Sequence, residues 1–262
     1  MTGVLERFAQ SSRARAESEM REHPLALFEQ LIETLPPVRP FAARLSSQAG
    51  PVPRMIAEMK QASPSAGVLR QAYRPRQIAM GYARVGAAAI SVLTEPEQFG
   101  GDLSHLAEAR AAHLPVLRKD FLVTPYQVAQ ARAAGADAVL LIAAMLDGPV
   151  LDIMMHAAAR YGVEALVEVH DEQELTRALD SGATLVGVNH RDLHTLEVDL
   201  DTGVRLAGKI PAHVARVAES GIRSRADVER LMEAGYPAFL VGEHLMRADD
   251  PADALWRLMQ PS

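Results

Sequence analysis

Lysine is scarce in this chain, and two of the lysines stand where they could exchange a proton with a bound molecule. Lys60, Lys119 and Lys209 are the three lysines among the 27 basic residues, and the others are arginines. An ammonium group can donate a proton near neutral pH when burial lowers its pKa, whereas a guanidinium stays charged. Lys60 and Lys119 both end or follow short apolar runs, a placement that chance could also produce. Glu168, which lies in another such run, makes acid–base chemistry the stronger interpretation.

Polar residues stand at the ends of the other apolar runs as well. Glu58 precedes Lys60, and Asn189 and Glu219 end later runs. The opposite ends of the same runs are mostly Gly, Ala and Pro. In a barrel of parallel strands the C-terminal strand ends share one face, where active sites lie. The polar residues are therefore expected to converge on one site.

Two glycine-containing turns near the end of the chain suit a phosphate group. Ser220-Gly221 and Gly242-Glu243 follow the last two apolar runs. Barrels often bind phosphate there with backbone N–H groups, and glycine lets the backbone approach the anion closely. Ordinary turn glycines produce the same pattern, so both interpretations stay open from the residues alone.

Other polar clusters are weaker candidates. His190 and His194 are four residues apart, but their segment lacks the Glu of a zincin motif and is predicted to be a loop. Ser63 and Ser65 flank a proline without the G-x-S-x-G pattern of a nucleophile turn. His170 is interpreted as a loop or capping residue. We therefore predict no metal site.

A repeat along the chain predicts the elements that carry these residues. Gly86, Gly135, Gly182 and Gly235 recur about every 50 residues, each after a helix-like stretch and before an apolar run. Glycine at such a point is typical of a helix C-cap, where a left-handed residue turns the chain toward a strand. With the runs between them, the apolar runs occupy residues 55–59, 88–93, 115–118, 138–142, 165–169, 185–189, 214–218 and 238–242.

These eight runs are short, continuous and rich in Val, Ile, Leu and Ala, as parallel strands covered on both faces are. Helical stretches separate them, and Asp171 is a candidate N-cap for one. Eight strand–helix units in 262 residues predict an α/β protein with one (β/α)₈ or TIM barrel. An open doubly wound sheet is the alternative, but no G-x-G-x-x-G follows the first run. Strand alternation predicts that Arg216 points outward to the helices.

Residues 1–47 stand outside the repeat, and the barrel is predicted to span residues 48–262. Apolar residues at helical spacing in the first segment are Leu5, Phe8, Phe28, Leu31 and Ile32. They predict two amphipathic helices that form an extension packed on the barrel. The role we expect for this extension is to plug one end of the barrel.

Composition excludes several classes of protein. A net charge of −6 with scattered arginines provides no basic stripe for nucleic acid. The absence of Cys removes disulfides and thiolate chemistry and suits a reducing cytoplasm. Glu6 and Arg7 interrupt the apolar core that a secretory signal needs, and the longest apolar run, 138–146, is under half of the roughly 20 residues of a membrane helix. We therefore expect a cytoplasmic protein without nucleic-acid or membrane partners.

Longer motifs lie in order along the successive runs, at residues 56–65, 91–96, 99–101, 117–121, 167–171, 187–189, 191–193 and 219–222. In these motifs the chain closely resembles the indole-3-glycerol phosphate synthase family, over nearly its whole length. The resemblance implies a (β/α)₈ carboxy-lyase of tryptophan biosynthesis. The implied reaction converts 1-(2-carboxyphenylamino)-1-deoxyribulose 5-phosphate to indole-3-glycerol phosphate by ring closure, decarboxylation and dehydration, without a metal or organic cofactor.

The resemblance also assigns roles to individual residues. Lys119 matches the general acid of ring closure, Lys60 the partner of the substrate carboxylate, and Glu168 the catalytic carboxylate of dehydration. Glu58 and Asn189 match residues that orient the lysines and the substrate hydroxyls. The implied substrate-binding residues are Phe99, Phe121 and Leu140 around the anthranilate ring, Ser63, Ser220, Gly221, Gly242 and Glu243 at the phosphate, and Arg191 and Glu219 as further polar contacts. Glu243 is expected to use only its backbone N–H, because its carboxylate repels an anion.

The chain departs from the family pattern at two positions. His190 stands where the family usually has a second Asn, and Ala66 where a Lys often follows the Ser-Pro-Ser loop.

Two other functions are alternatives to the synthase. One is a Schiff-base aldolase that uses Lys119, and the other is a barrel kept as a binding partner. For the synthase, a phosphorylated small molecule is the expected ligand, and no obligate protein partner is inferred.

Overall fold

Parallel strands close into a barrel in the computed structural model, which describes residues 3–46, 52–64, 66–193 and 195–260. The strands are β1 (Arg54–Met59), β2 (Ala62–Ser63), β3 (Gly67–Val68), β4 (Ala89–Leu93), β5 (Val116–Lys119), β6 (Ala138–Ile142), β7 (Glu164–Val169), β8 (Leu185–Asn189), β9 (Ala215–Glu219) and β10 (Ala238–Val241). The strands β2 and β3 form a small antiparallel hairpin. The other eight pair in chain order, and β10 pairs with β1 to close the ring. The predicted (β/α)₈ barrel is confirmed.

Helices connect the barrel strands and also precede the first one. They are α1 (Val4–Glu22), α2 (Leu25–Thr34), α3 (Phe41–Leu45), α4 (Pro75–Arg84), α5 (Pro96–Phe99), α6 (Ser104–Ala109), α7 (Pro125–Ala133), α8 (Gly148–Tyr161), α9 (Glu172–Asp180), α10 (Asp201–Ala207), α11 (Arg225–Glu233), α12 (Glu243–Arg247) and α13 (Pro251–Met259), with a 3₁₀ turn at Arg110–Ala112. Asp171 caps α9 by accepting a hydrogen bond from the backbone N–H of Glu174, as predicted.

The glycine repeat marks the turns that lead from a helix into a strand. The φ angle is 96° at Gly86, 97° at Gly135, 81° at Gly182 and 102° at Gly235. Each of these left-handed residues lies between the end of a helix and the start of a barrel strand. A residue with a Cβ is strained in this conformation. The repeat thus sets the helix-to-strand turns, as predicted.

The described part of the N-terminal segment, residues 3–46, contains the two predicted helices and a third that was not predicted. The additional helix, α3, lies at the N-terminal end of the barrel, where Phe41 and Leu45 are buried in the interior core. Glu164 at the start of β7 accepts hydrogen bonds from the backbone N–H of Phe41, at 2.6 Å, and of Ala42, at 2.8 Å. A carboxylate at a helix N-terminus stabilises it by satisfying free N–H groups. This helix therefore plugs one end of the barrel.

The first helix, α1, lies at the opposite end, where the strands terminate. The Ser12 hydroxyl donates a hydrogen bond to the backbone oxygen of Phe121, just after β5. Arg15 pairs with Asp120 at 3.1 Å. The extension therefore covers both ends of the barrel, and between them α2 packs on the outer helix α7, where Phe28 contacts Tyr126. The predicted division at residue 47 falls on residues outside the described ranges and stays a prediction.

The apolar core has two layers. Inside the barrel, side chains such as Ile56, Leu117 and Leu166 pack together, and a larger cluster fills the space between strands and helices. Arg216 points outward, and its guanidinium donates to the backbone oxygen of Ala207 at 3.0 Å, as predicted. In the described ranges, no helix is both long and apolar enough to span a membrane.

Candidate active site

The C-terminal ends of the barrel strands surround a cavity of about 630 Å³. Parallel strands in a barrel all end on one face, so residues far apart in the chain meet there. The cavity is lined by every residue predicted for the site, namely Glu58, Lys60, Ser63, Phe99, Lys119, Phe121, Leu140, Glu168, Asn189, Arg191, Glu219, Ser220, Gly221, Gly242 and Glu243. Ser65 and His194 lie outside the described residues.

Lys119 ends β5, and its ammonium group lies between two buried carboxylates. Its Nζ donates to Glu168 Oε2 at 3.0 Å and lies 3.5 Å from Glu219 Oε2. Burial lowers the pKa of Lys119, but the attraction of Glu168, Glu219 and Glu58 outweighs burial and raises the pKa above its ordinary value. The expected lowering is therefore wrong in sign. Lys119 is held as a charged ammonium group beside the cavity.

Glu168 is buried near the end of β7 and is bound on both oxygens. Asn189 Nδ2 donates to Oε1 at 3.0 Å, while Lys119 binds Oε2. Burial raises the pKa of Glu168, but the charges of Lys119 and His170 and the hydrogen bond from Asn189 hold the pKa well below its usual range. Glu168 is therefore held as an ionised carboxylate.

Glu219 ends β9 on the other side of Lys119, and its carboxyl group is fully buried. Burial, together with the like charges of Glu168 and Glu58, outweighs the attraction of Lys119 and raises the pKa of Glu219 to about 8. The two neighbouring carboxyl groups thus have opposite pKa shifts, so Glu219 is suited to carry a proton and Glu168 to remain an anion.

A glycine in the neighbouring strand makes room for Glu219. A Cβ on Gly187 would lie 1.9 Å from Glu219 Oε1, far inside van der Waals contact. Sequence reasoning assigned no role to this glycine. The available signal is its position within a fully buried strand, where glycine often marks a close approach of another group.

Lys60 and Glu58 form a second pair at the end of β1. Lys60 Nζ donates to Glu58 Oε1 at 2.7 Å. A Cβ on Gly242 would lie 2.0 Å from the same oxygen. Gly242 therefore has a steric reason to be glycine that is independent of any phosphate.

Residues predicted for phosphate lie around one end of the cavity. Ser220 and Gly221 are both left-handed, with φ of 67° and 78°. A Cβ on Gly221 would lie 2.3 Å from a methyl group of Val198. Glycine is thus required at position 221 by the turn itself. This geometry is compatible both with a phosphate-binding turn and with an ordinary glycine turn.

The carboxylate of Glu243 lies close to two arginine side chains. Arg247 binds Glu243 Oε1 at 3.0 Å, and Arg191 lies 3.9 Å from Oε2. Arg223 and His244 also line this end of the cavity. Arg247 and Arg191 therefore offset the charge of Glu243 next to the residues predicted to bind phosphate.

Aromatic side chains form the apolar side of the cavity. Phe121 stacks on Phe8 of α1, with ring centroids 4.3 Å apart, and its ring lies 6.2 Å from that of Phe99. Val4 and Leu5 of the same helix line the cavity too. Sequence reasoning missed these three α1 residues, because an amphipathic pattern shows that a helix packs but not where.

Glu95, at the end of the second barrel strand, positions Phe99. Its buried carboxylate accepts backbone hydrogen bonds from residues 97, 98 and 99 at the start of α5. Thr94 instead donates to Asp120 at 2.7 Å in a buried network with Arg118. Glu95 thus holds the cavity wall at Phe99, whereas Thr94 and Asp120 belong to the buried network that supports it.

Two histidines near the site differ in their contacts. His190 is buried, and its Nδ1 donates to the backbone oxygen of Ser220 at 3.0 Å, so it supports the turn. His170 contacts Glu174 and lies near Glu168, which is more than the capping role predicted for it. In the described parts of the chain, no group of three or more His, Asp or Glu side chains is arranged to hold a metal ion.

A (β/α)₈ barrel whose strand ends bring two lysines and three glutamates into one partly apolar cavity is equipped for acid–base chemistry on a small molecule. The family model described as indole-3-glycerol phosphate synthase matches residues 5–258. The chain belongs to the indole-3-glycerol phosphate synthase family.

Relatives with that name match almost the full length of the chain. One from Burkholderia vietnamiensis (strain G4 / LMG 22486) is 46% identical over 260 residues, covering 98% of this chain and 99% of the relative. Another from Parafrankia sp. (strain EAN1pec) is 48% identical over 249 residues, covering 95% and 92%. This agreement extends across the extension and the barrel.

Solved structures of similar shape include 3-hexulose-6-phosphate synthase from Salmonella typhimurium. It has a TM-score of 0.62 and 14% sequence identity, and the match covers 79% of this chain and 96% of that chain. A thiamine phosphate pyrophosphorylase from Pyrococcus furiosus has a TM-score of 0.58 and 16% identity, with 79% and 93% covered. At these identities the likeness shows the barrel fold alone.

Proposed function

We propose that this chain converts 1-(2-carboxyphenylamino)-1-deoxyribulose 5-phosphate to indole-3-glycerol phosphate, with release of CO₂ and water, as a carboxy-lyase of tryptophan biosynthesis. The observation that carries the proposal is the ammonium group of Lys119 bound between Glu168 and Glu219 inside the cavity. Membership of the family supports the same reaction.

Ring closure makes the ketone oxygen of the substrate negative, so it needs a positioned acid. Lys119 supplies the proton to this oxygen, and as an ammonium group it also attracts the developing charge. Lys60 pairs with the substrate carboxylate, and Glu58 holds Lys60 in place at 2.7 Å. Decarboxylation then draws on the positive ring nitrogen of the substrate, which accepts the electron pair.

Dehydration requires removal of a proton from carbon and protonation of the departing hydroxyl. Glu168 is the carboxylate assigned to this stage, and Asn189 orients it through the 3.0 Å hydrogen bond. Glu219 shares Lys119 with Glu168 and holds a proton up to a higher pH. These steps use side chains and the substrate itself, so the proposal includes no metal or organic cofactor.

The shape of the cavity fits a substrate with one aromatic and one anionic end. Phe99, Phe121 and Leu140 are assigned to the anthranilate ring, and an apolar wall there excludes water. The phosphate is assigned to Ser63, Ser220, Gly221, Gly242 and Glu243, with Arg191 nearby. We propose the cytoplasm as the location and this phosphorylated molecule as the ligand, with no nucleic-acid or obligate protein partner.

Replacement of the proposed acid tests the function. Purified protein mixed with the carboxyphenylamino substrate should produce a fluorescent indole without added metal. Lys119→Ala should lower turnover by roughly a hundredfold or more, because the ketone oxygen loses its proton donor. Lys209→Ala is a matched control, since Lys209 pairs with Glu172 on the surface and its side chain is 48% exposed.

The outcomes separate the synthase from the alternatives. Folded wild-type protein that forms no indole contradicts the proposal. An unchanged rate in Lys119→Ala contradicts the role of that residue. The aldolase alternative needs a neutral Lys119 amine, whereas the raised pKa of Lys119 favours the ammonium form. Borohydride trapping of a substrate adduct on Lys119 would support the aldolase instead.

A further inference from the structure

The proposed reaction consumes one proton from solvent for each molecule of product. The ketone oxygen of the substrate takes up two protons before it leaves as water, and one proton is removed from carbon during dehydration. The carboxylate leaves as neutral CO₂ and neither gains nor releases a proton. The departing hydroxyl therefore needs a second proton donor besides Lys119. Glu219, whose pKa is raised to about 8, holds one proton next to Lys119, and the position of His170 offers a second.

His170 lies next to Glu168 in a fixed orientation. Its Nδ1 donates to Glu174 Oε2 at 3.0 Å, and its backbone N–H donates to the same oxygen at 2.8 Å. The ring is therefore held with Nε2 toward Glu168, whose Oε1 is 3.5 Å away. This Nε2 is buried and has no hydrogen-bond partner within the described part of the chain. The Glu168 carboxylate is thus placed to exchange a proton with Nε2.

The imidazole stands behind Glu168 as seen from the cavity. Glu168 lines the cavity, whereas His170 and Glu174 are not among its lining residues. The side chain of His170 is 15% exposed, and that of Glu168 is 1% exposed. A substrate in the cavity contacts Glu168 without displacing the imidazole behind it.

We propose that His170 stores the proton that each turnover consumes and delivers it to Glu168 while substrate fills the cavity. This inference rests on the proposed synthase reaction. His170 acts through Glu168 and does not touch the substrate, so it is a positioning residue.

The proton moves in two steps. Nε2–H of the His170 imidazolium passes its proton to Oε1 of Glu168, which leaves a neutral imidazole and a neutral carboxyl group. The carboxyl group protonates the departing hydroxyl, and the carbon–oxygen bond breaks with its electron pair going to the oxygen. Water leaves, and Glu168 is a carboxylate again. The neutral amine of Lys119 takes the proton removed from carbon, so Lys119 is an ammonium group again and only the proton from His170 has to be replaced. After product release, a proton from solvent returns through the emptied cavity to Glu168 and then to Nε2.

The surrounding charges favour a stored proton. Burial lowers the pKa of His170, but Glu174, Glu168 and Glu219 together raise it above its ordinary value. Lys119 keeps Glu168 ionised as long as it is charged. Once Lys119 has given its proton to the ketone oxygen, Glu168 loses its strongest attracting charge and its affinity for a proton rises. The transfer from His170 is therefore timed by the first chemical step.

Single-turnover kinetics with enzyme in excess test this role. In wild-type protein the rate should fall as pH rises through the pKa of His170, because neutral imidazole has no proton to give. His170→Gln keeps a polar side chain without a titrating group. Its rate at pH 7 should be roughly tenfold lower, less than for loss of a direct acid because water can substitute, with that basic limb absent and substrate affinity unchanged.

Two further variants make the result specific. Glu174→Gln keeps an oxygen that accepts both hydrogen bonds from His170 but removes the charge, so the basic limb should move down by roughly one pH unit. His156→Gln is the matched control, because His156 is on the outer helix α8 and bonds to the backbone oxygen of Asp152. It should retain the wild-type profile.

The outcomes decide the inference independently of the synthase proposal. Wild-type protein without turnover contradicts the synthase itself. If wild-type protein is active, a wild-type rate in His170→Gln overturns the stored proton. So does a slow His170→Gln that retains the wild-type limb, since the ring is then only structural. Should His170→Gln not fold, an unmoved limb in Glu174→Gln overturns it alone.

Discussion

Gly187 should be as important for activity as the side chains of the site, because it leaves the space that the Glu219 carboxyl group occupies. The perturbation is Gly187→Ala, which adds one methyl group inside β8. An ideal Cβ there lies 1.9 Å from Glu219 Oε1, 3.0 Å from Glu219 Cδ and 3.3 Å from a methyl group of Leu166. The strand is fully buried, so the added methyl group has no free space on the solvent side.

The size of the effect follows from these distances. Ordinary van der Waals contact begins at 3.4 Å, so the Glu219 oxygen must withdraw by about 1.5 Å. Its partner, Lys119 Nζ, is already 3.5 Å from Oε2, and such a shift changes the charge around the proposed acid. A misplacement of about 1 Å in a catalytic group can cost roughly a hundredfold in rate. Overpacking costs about 1–3 kcal/mol of stability besides.

A double-mutant cycle with Glu219→Ala measures the effect. Indole formation and thermal unfolding are measured for Gly187→Ala, for Glu219→Ala and for the double variant. In the absence of the Glu219 carboxyl group the added methyl meets only the slight contact with Leu166 at 3.3 Å, so the double variant should be about as slow as Glu219→Ala alone. Gly148→Ala is the control, since a Cβ at Gly148 meets nothing within 4 Å.

Two results would refute this reasoning. Gly187→Ala with a rate within about twofold of the wild type would show that the carboxyl group has room to move harmlessly. Additive losses in the double variant would show that the methyl group acts through the strand or the fold and not through Glu219.

Three more predictions concern other parts of the molecule. Phe8→Ala removes the ring stacked on Phe121, worth about 0.5–1.5 kcal/mol, so KM for the substrate should rise by up to about tenfold in steady-state assays; an unchanged KM would exclude α1 from the binding wall. Glu164→Gln weakens the carboxylate that holds the start of α3 and should lower the free energy of unfolding by about 1–3 kcal/mol, with kcat unchanged because it lies at the opposite end of the barrel. The folded-state pKa of Glu219 is raised to about 8, so its stabilising contribution is complete below pH 4.5 and is lost as pH rises to 8. Urea unfolding should show stability falling by roughly 1.4 kcal/mol per pH unit in that window, and Glu219→Gln should remove this part of the slope.

The fold could be read from the chain because its determinants are local. A left-handed glycine recurs at four of the helix-to-strand turns, as at Gly135, and continuous apolar runs mark strands covered on both faces. Closure into a barrel then places the strand ends on one face. That rule predicts that Lys119, Glu168 and Asn189 meet.

The tertiary structure decided what depends on distance and burial. The pKa of Lys119 rises because two carboxylates from other strands lie within 3.5 Å, a sum of burial and charge that spacing along the chain does not contain. The placement of α1 over the cavity, and of His170 behind Glu168, likewise follows from packing between distant segments. Sequence by itself determined which groups gather at one face of the barrel, because strand direction and alternation are local. Only the folded chain determined which of them carry protons, because electrostatic interactions depend on separations in space.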